Sequence, residues 1–119
     1  MIIEDTPERL GAPLEALKGK TVYISGAITS DPHYLTKFAR AQESLKVVGV
    51  KQVFNPPDIL GPGHSYDAYM EVDFVFVRRA EAVFALRDWR TSPGARAEVA
   101  YAECLKKIIV YEAENTLLI

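Results

Sequence analysis

The stretch SYDAYMEVDFVFVRRAEAVFAL, residues 65–86, decides the fold. Read alone, DFVFV suits a β-strand, because aromatic and β-branched residues dominate it. Read with its flanks, Tyr66, Met70, Phe74 and Val77 fall on one stripe at helical spacing. The helix is preferred, because AEAVFAL directly after it makes the better strand. That choice brings the whole chain into one alternating pattern.

Upstream, KTVYISG (residues 20–26) is a short β-rich run that stops at a glycine, as a buried strand does. DPHYLTKFARAQESLKVVG (31–49) follows as a helix, with Pro32 suited to the first turn and Gly49 to the stop. Tyr34, Phe38, Ala41, Leu45 and Val48 recur along it at helical spacing. KQVFNPP (51–57) reads as a second strand closed by two prolines, and DILGPGHS (58–65) as a turn-rich loop. Downstream, a polar loop runs into a helix from about Pro93 to Lys106, then the strand KIIVYE (107–112) and an apolar tail, NTLLI (115–119). Residues 1–19 read as an arm with one helical turn at PLEALKG, closed by Gly19. The order β-α-β-α-β-α-β implies a single α/β domain over residues 1–119, a parallel sheet with helices on both faces. Ligands of such sheets bind beyond the carboxyl ends of the strands, where strand order reverses. Three loops then converge: SGAITSDP, NPPDILGPGHS and RDWRTSPG.

The bulk composition narrows the function. The 119 residues are 49% hydrophobic and 25% charged, as in ordinary globular domains. A net charge of −2 gives no electrostatic basis for gripping a nucleic-acid polymer. Cys104 is the sole cysteine, so no disulfide framework is expected, and a reducing, cytoplasmic setting is the default. The N-terminus lacks the apolar run of a signal peptide, and no segment has the length to cross a bilayer. His33 and His64 stand alone without ligand spacing, so neither a metal nor a cofactor is expected.

Glu98 is the residue that looks out of place. With a helix starting near Pro93, Ala95, Glu98, Val99, Ala102 and Leu105 share one face, whereas Glu103 lies opposite with Arg96 and Lys107. An inward carboxylate costs desolvation unless it is paired or faces a cavity. Position alone leaves a structural pair and a catalytic carboxylate about equally plausible. Ser92 before Pro93 is a good N-cap, and the same loop could hold a phosphate or a sugar hydroxyl. Arg87, Arg90 and Arg96 flank it. Asp73 is inward between Met70 and Val77, where it could act on a substrate or serve as a surface residue. Trp89 suits either stacking on a ring or packing over the helix end. Tyr23 suits the core, and Gly26 lets backbone come close to a ligand.

The order and spacing of YISGAI, VFNPP, Asp73 and DWRTSPGARAE, between Tyr23 and Tyr111, resemble the nucleoside 2-deoxyribosyltransferase-like superfamily. The nearest pattern is that of a small phage and bacterial domain of unknown function within it. The resemblance implies a flavodoxin-like three-layer fold and an enzyme that cleaves or exchanges the N-glycosidic bond of a nucleoside or nucleoside 5′-monophosphate. By motif, Glu98 matches the nucleophile, Asp73 the aspartate that helps the base leave, and Tyr23 the tyrosine beside the nucleophile. Gly26 and Ala27 fall at the first-strand turn beside the sugar. Ser92 and Gly94 match the loop that holds the 5′ end, and Arg96 and Trp89 flank it. Two positions depart from the phosphate-recognising hydrolases: Thr29 stands where they tend to carry an arginine, and Arg96 where they often carry a glycine. The resemblance also implies a homo-oligomer, at least a dimer, for which the tail TLLI and the helix face around Tyr66 and Met70 are candidate contacts. A non-catalytic nucleotide-binding or sensing module is the alternative, and an interaction domain with a salt-bridged Glu98 the third reading.

Overall fold

In a computed structural model, which describes residues 11–112, four strands form one parallel sheet. They are β1 (Thr21–Ser25), β2 (Gln52–Phe54), β3 (Ala82–Ala85) and β4 (Ile108–Tyr111), in the order β2-β1-β3-β4. Val22 pairs with Val53 on one side and with Ala82 on the other, and Ala82 pairs with Ile108. The helices are α1 (Tyr34–Val48), α2 (Pro56–Ile59), α3 (Tyr66–Arg79) and α4 (Pro93–Cys104). The strand order reverses between β1 and β3, as in the flavodoxin-like arrangement.

Strand alternation sorts the core into two layers. Val22, Ile24, Ala82, Phe84, Leu86 and Val110 face one side, where Leu17 and the α1 residues Phe38, Ala41 and Leu45 cover them. Tyr23, Val83, Ala85, Ile109 and Tyr111 face the other, under Val77 of α3 and Val99 and Ala102 of α4. Helices on both faces explain why β1 and β3 read as near-continuous apolar runs rather than alternating ones.

The ambiguous stretch folds as preferred, into α3 followed by β3. Ser65 caps α3, its hydroxyl accepting from the Ala68 N–H at 3.1 Å. Gly49 ends α1 in the left-handed conformation at φ 98°, which glycine adopts without strain. The arm forms a 3₁₀ turn, Leu14–Leu17, that buries Leu17, and the Ala12 N–H donates to the Ile109 carbonyl at 2.7 Å.

Three local expectations are corrected. Pro32 precedes α1 rather than opening it; the helix begins at Tyr34, after the Asp31 carboxylate has accepted the His33 N–H. The two prolines after β2 start a one-turn helix, α2, in what reads as loop, because proline fits the first helical positions. The last helix stops at Cys104, with Lys106 at φ 58°, so Leu105 is not on the buried face but 39% exposed. Tyr66, a candidate oligomer contact, is 56% exposed and lines the cavity described below. The tail NTLLI and the start of the arm lie outside the described residues.

Phe38 is the largest side chain that α1 buries. Phe38→Ala is expected to cost about 3–5 kcal/mol, seen as a lower urea midpoint at unchanged slope.

Candidate active site

The carboxyl ends of β1 and β3 open into a cavity of about 230 Å³. All three expected loops line it: Gly26, Ile28 and Thr29 after β1, Pro56, Pro57 and Leu60 after β2, and Ser92 and Gly94 after β3. From α3 come Tyr66, Tyr69, Met70 and Asp73, and from α4 comes Glu98. α3 therefore supplies the aromatic residues and one carboxyl group, and α4 supplies the second carboxyl.

Glu98 is 5% exposed, and its surroundings explain how the fold tolerates it. Tyr23 and Ser25 are two residues apart on β1, so both side chains point to the α4 side of the sheet. The Tyr23 hydroxyl donates to Glu98 Oε2 at 3.0 Å, and the Ser25 hydroxyl donates to Oε1 at 2.7 Å. Each carboxylate oxygen thus has its own donor. Among the described residues its bonding partners are hydroxyls rather than a guanidinium, so the salt-bridged reading finds no support there.

Asp73, 7% exposed, lies close enough to raise the energy of a second charge. Burial, with the Asp73 charge added, pushes the Glu98 carboxyl up to about 8, against the pull of the Ser25 and Tyr23 donors. Burial likewise raises Asp73 to about 6. Two such carboxyls share one proton near neutral pH, and the titration belongs to the pair. Burial, and then the Glu98 charge, hold the Tyr23 hydroxyl well above its ordinary value, so it remains a donor.

The rim is built by ionic and steric constraints. Lys37 Nζ bonds the Ala27 carbonyl at 2.7 Å and bridges the Asp31 and Asp88 carboxylates, while Asp88 Oδ1 accepts the Ala27 N–H at 3.1 Å. Gly26 lies against Leu86: a Cβ there would come 2.7 Å from Leu86 Cδ1 and 3.0 Å from its Cβ. At Gly94 a Cβ would stand 3.3 Å from both Met70 Sδ and the Tyr66 hydroxyl. Close approach rather than backbone angle favours glycine at both positions, most tightly at Gly26; at Gly94 the Met70 and Tyr66 side-chain ends would have to give by a few tenths of an ångström.

Residues 20–111 match the family described as Domain of unknown function (DUF4406). The chain belongs to that family. No curated protein matches it. The solved structure titled "2-desoxiribosyltransferase from Leishmania mexicana" is similar to this DUF4406 chain over 77% of its length, with 22% identity and a TM-score of 0.54. The chain spans 63% of that structure. The likeness establishes a deoxyribosyltransferase-like α/β fold. Among the described residues no helix is long and apolar enough to cross a membrane.

The DUF4406 fold brings Glu98, Asp73, Gly26, Ser92 and Gly94 to one cavity, with Tyr23 behind Glu98. Three expected substrate contacts lie elsewhere. Trp89 packs on Tyr111, ring centroids 5.5 Å apart, with the Arg90 guanidinium 4.8 Å from its ring. Arg96 is exposed outside the cavity lining, so it does not obstruct the pocket. Ala27 is buried, with its N–H and carbonyl taken by Asp88 and Lys37. Ser92 caps α4, its hydroxyl accepting the Ala95 N–H at 3.1 Å while also facing the cavity.

Sequence reasoning missed Ser25 and the aromatic wall of Tyr66, Tyr69 and Met70. The signal for Ser25 was its two-residue spacing from Tyr23 on a strand. The wall carried none, since helical spacing does not distinguish a core stripe from a cavity stripe.

Because the folded Glu98 and Asp73 values exceed their ordinary 4.5 and 3.8, their contribution to stability is complete below those values and is lost as pH rises through about 6 and 8. The melting temperature should therefore fall from pH 5 to pH 9, and Glu98→Gln should flatten that fall in differential scanning calorimetry.

Proposed function

We propose that this protein cleaves or transfers the N-glycosidic bond of a nucleoside or nucleoside 5′-monophosphate, with Glu98 as nucleophile. The observation that carries the reading is a buried carboxylate held by two hydroxyls in the lining of a cavity, beside a second carboxyl coupled to it. Glu98, the weaker acid, holds the shared proton at rest; in the productive form that proton has passed to Asp73, and Glu98 is ionised. A Glu98 oxygen attacks the anomeric carbon as the C–N bond breaks, and the departing base takes its bonding pair and the Asp73 proton. Positive charge that builds on the sugar is stabilised by the Glu98 carboxylate below it. Asp73, now ionised, removes a proton from water, which releases the sugar from Glu98; an incoming base nitrogen gives transfer instead. Tyr66, Tyr69 and Met70 offer a wall against which a planar base can pack.

The described cavity lining includes no lysine, arginine or histidine. An uncharged 5′ end therefore suits it better than a phosphate. The likeness to a deoxyribosyltransferase fold and the expected oligomer are compatible with this reading. The subunit count is testable by light scattering at micromolar concentration, with at least a dimer expected.

The test is release of free base from a panel of nucleosides and monophosphates, followed by chromatography. Glu98→Ala is expected to reduce turnover by roughly a thousandfold or more. Asp73→Asn is expected to lower it by about 10²–10⁴-fold, most for the poorest leaving groups. A wild-type protein inert on every substrate, or a Glu98→Ala variant as active as wild type, would refute the proposal. The dependence of kcat/KM on pH should be bell-shaped, with limbs near 6 and 8 where the pair gains and loses its shared proton.

A further inference from the structure

Ser25 is fully buried at the end of β1, and its hydroxyl has two acceptors within reach. Glu98 Oε1 lies at 2.7 Å and the Ala95 carbonyl, one turn earlier on α4, at 3.4 Å. A serine hydroxyl carries one proton and rotates freely, so it serves one acceptor at a time. The choice depends on the state of Glu98. An ionised carboxylate is the stronger acceptor and draws the proton. A protonated or esterified Glu98 gives up that pull, and the hydroxyl then has the Ala95 carbonyl to turn to. Neither orientation leaves a buried hydroxyl proton unpaired, which would otherwise be costly.

We propose that Ser25 is a positioning residue whose hydroxyl alternates between Glu98 and the Ala95 carbonyl as Glu98 gains and loses charge in the glycosyl-transfer cycle. The proposal rests on Glu98 being the nucleophile. Ser25 holds Oε1 while Glu98 is charged, fixing the carboxylate plane with Tyr23 on Oε2, and releases it once the ester forms. No net proton leaves the pair, because the serine proton stays on serine throughout. Tyr23 cannot substitute for Ser25, since its donor already serves the other oxygen. The titratable groups facing Glu98 are Tyr23 from β1 and Asp73 from α3, with Tyr66 and Tyr69 of α3 in the same cavity; β3 ends in Ala85 and adds none.

The test reads the protonation of Glu98 directly. The infrared band of its protonated carboxyl is assigned by subtracting Glu98→Gln and followed against pH in the unliganded protein. Ser25→Ala should move the midpoint up by about one pH unit, the worth of a hydrogen bond to a charged group. Ser25→Thr, which keeps the hydroxyl, should restore it. With an active protein, Ser25→Ala should lower kcat by about tenfold or more with KM little changed, and move the limb of the pH profile near 8 upward. An unmoved midpoint in Ser25→Ala, or the same shift in Ser25→Thr, overturns the proposal. If Ser25→Ala does not fold, Ser25→Cys fills the same space with a weaker donor and must show the upward shift. Absence of glycosidic activity in the wild type would refute the proposed function, whereas the infrared midpoint decides the role of Ser25 by itself.

Discussion

Everything at this site depends on one arrangement: a buried carboxylate on α4 whose two oxygens each meet a hydroxyl from β1. Strand geometry makes it possible. Side chains at positions 23 and 25 fall on the same face of the sheet, about 6–7 Å apart along the strand, which matches the reach needed to bracket a carboxylate crossing above them. The intervening Ile24 points to the opposite core. Moving the pairing of β1 by one residue would bury Ile24 against Glu98 and turn both hydroxyls into the wrong layer. The sheet register therefore sets the electrostatics of the site as well as its packing.

The chain follows the usual logic of an open parallel sheet, in which a ligand binds where neighbouring strands send their connections to opposite faces. Here that place is the boundary between β1 and β3. The connection from β1 passes through α1 on one face, and those through α3 and α4 pass over the other. The loops diverge there, and the resulting gap is the cavity. The loops after the strands line it, while Asp73 and Glu98 reach it from within α3 and α4, with Tyr23 of β1 behind Glu98. The DUF4406 match covers this whole arrangement, from Lys20 to Tyr111.

Much of this was legible in the sequence, for physical reasons that can be named. The alternation of short β-rich runs with helical stripes fixes the layer order, and the contrast between Glu98 and Glu103 follows from helical spacing alone. The helix assigned to residues around DFVFV held because the strand that had to follow it needed its own apolar run. What stayed hidden was of a different kind. Nothing local tells a proline pair that ends a strand from one that starts a turn of helix, as at Pro56. Trp89 and Arg96 looked like ligand contacts because they flank the motif, but Trp89 found a partner in Tyr111, which is 22 residues later in the chain (89 to 111). Partnerships of that range arise from the folded sheet and leave no periodic trace.

The clamp made by Lys37 and Asp88 has a consequence for how anything reaches Glu98. It ties the turn after β1 to the turn after β3 across the point where the strands part, through side chains that also hold the Ala27 backbone from both sides. Those two walls are thereby joined into a single sill. The opposite wall, from Gly61 to His64, is solvent-exposed and is fastened through the Tyr69 hydroxyl, which donates to the Gly61 carbonyl at 2.7 Å. One side chain of the cavity lining, Tyr69, thus also fastens that exposed loop, so displacing the ring would loosen the loop with it.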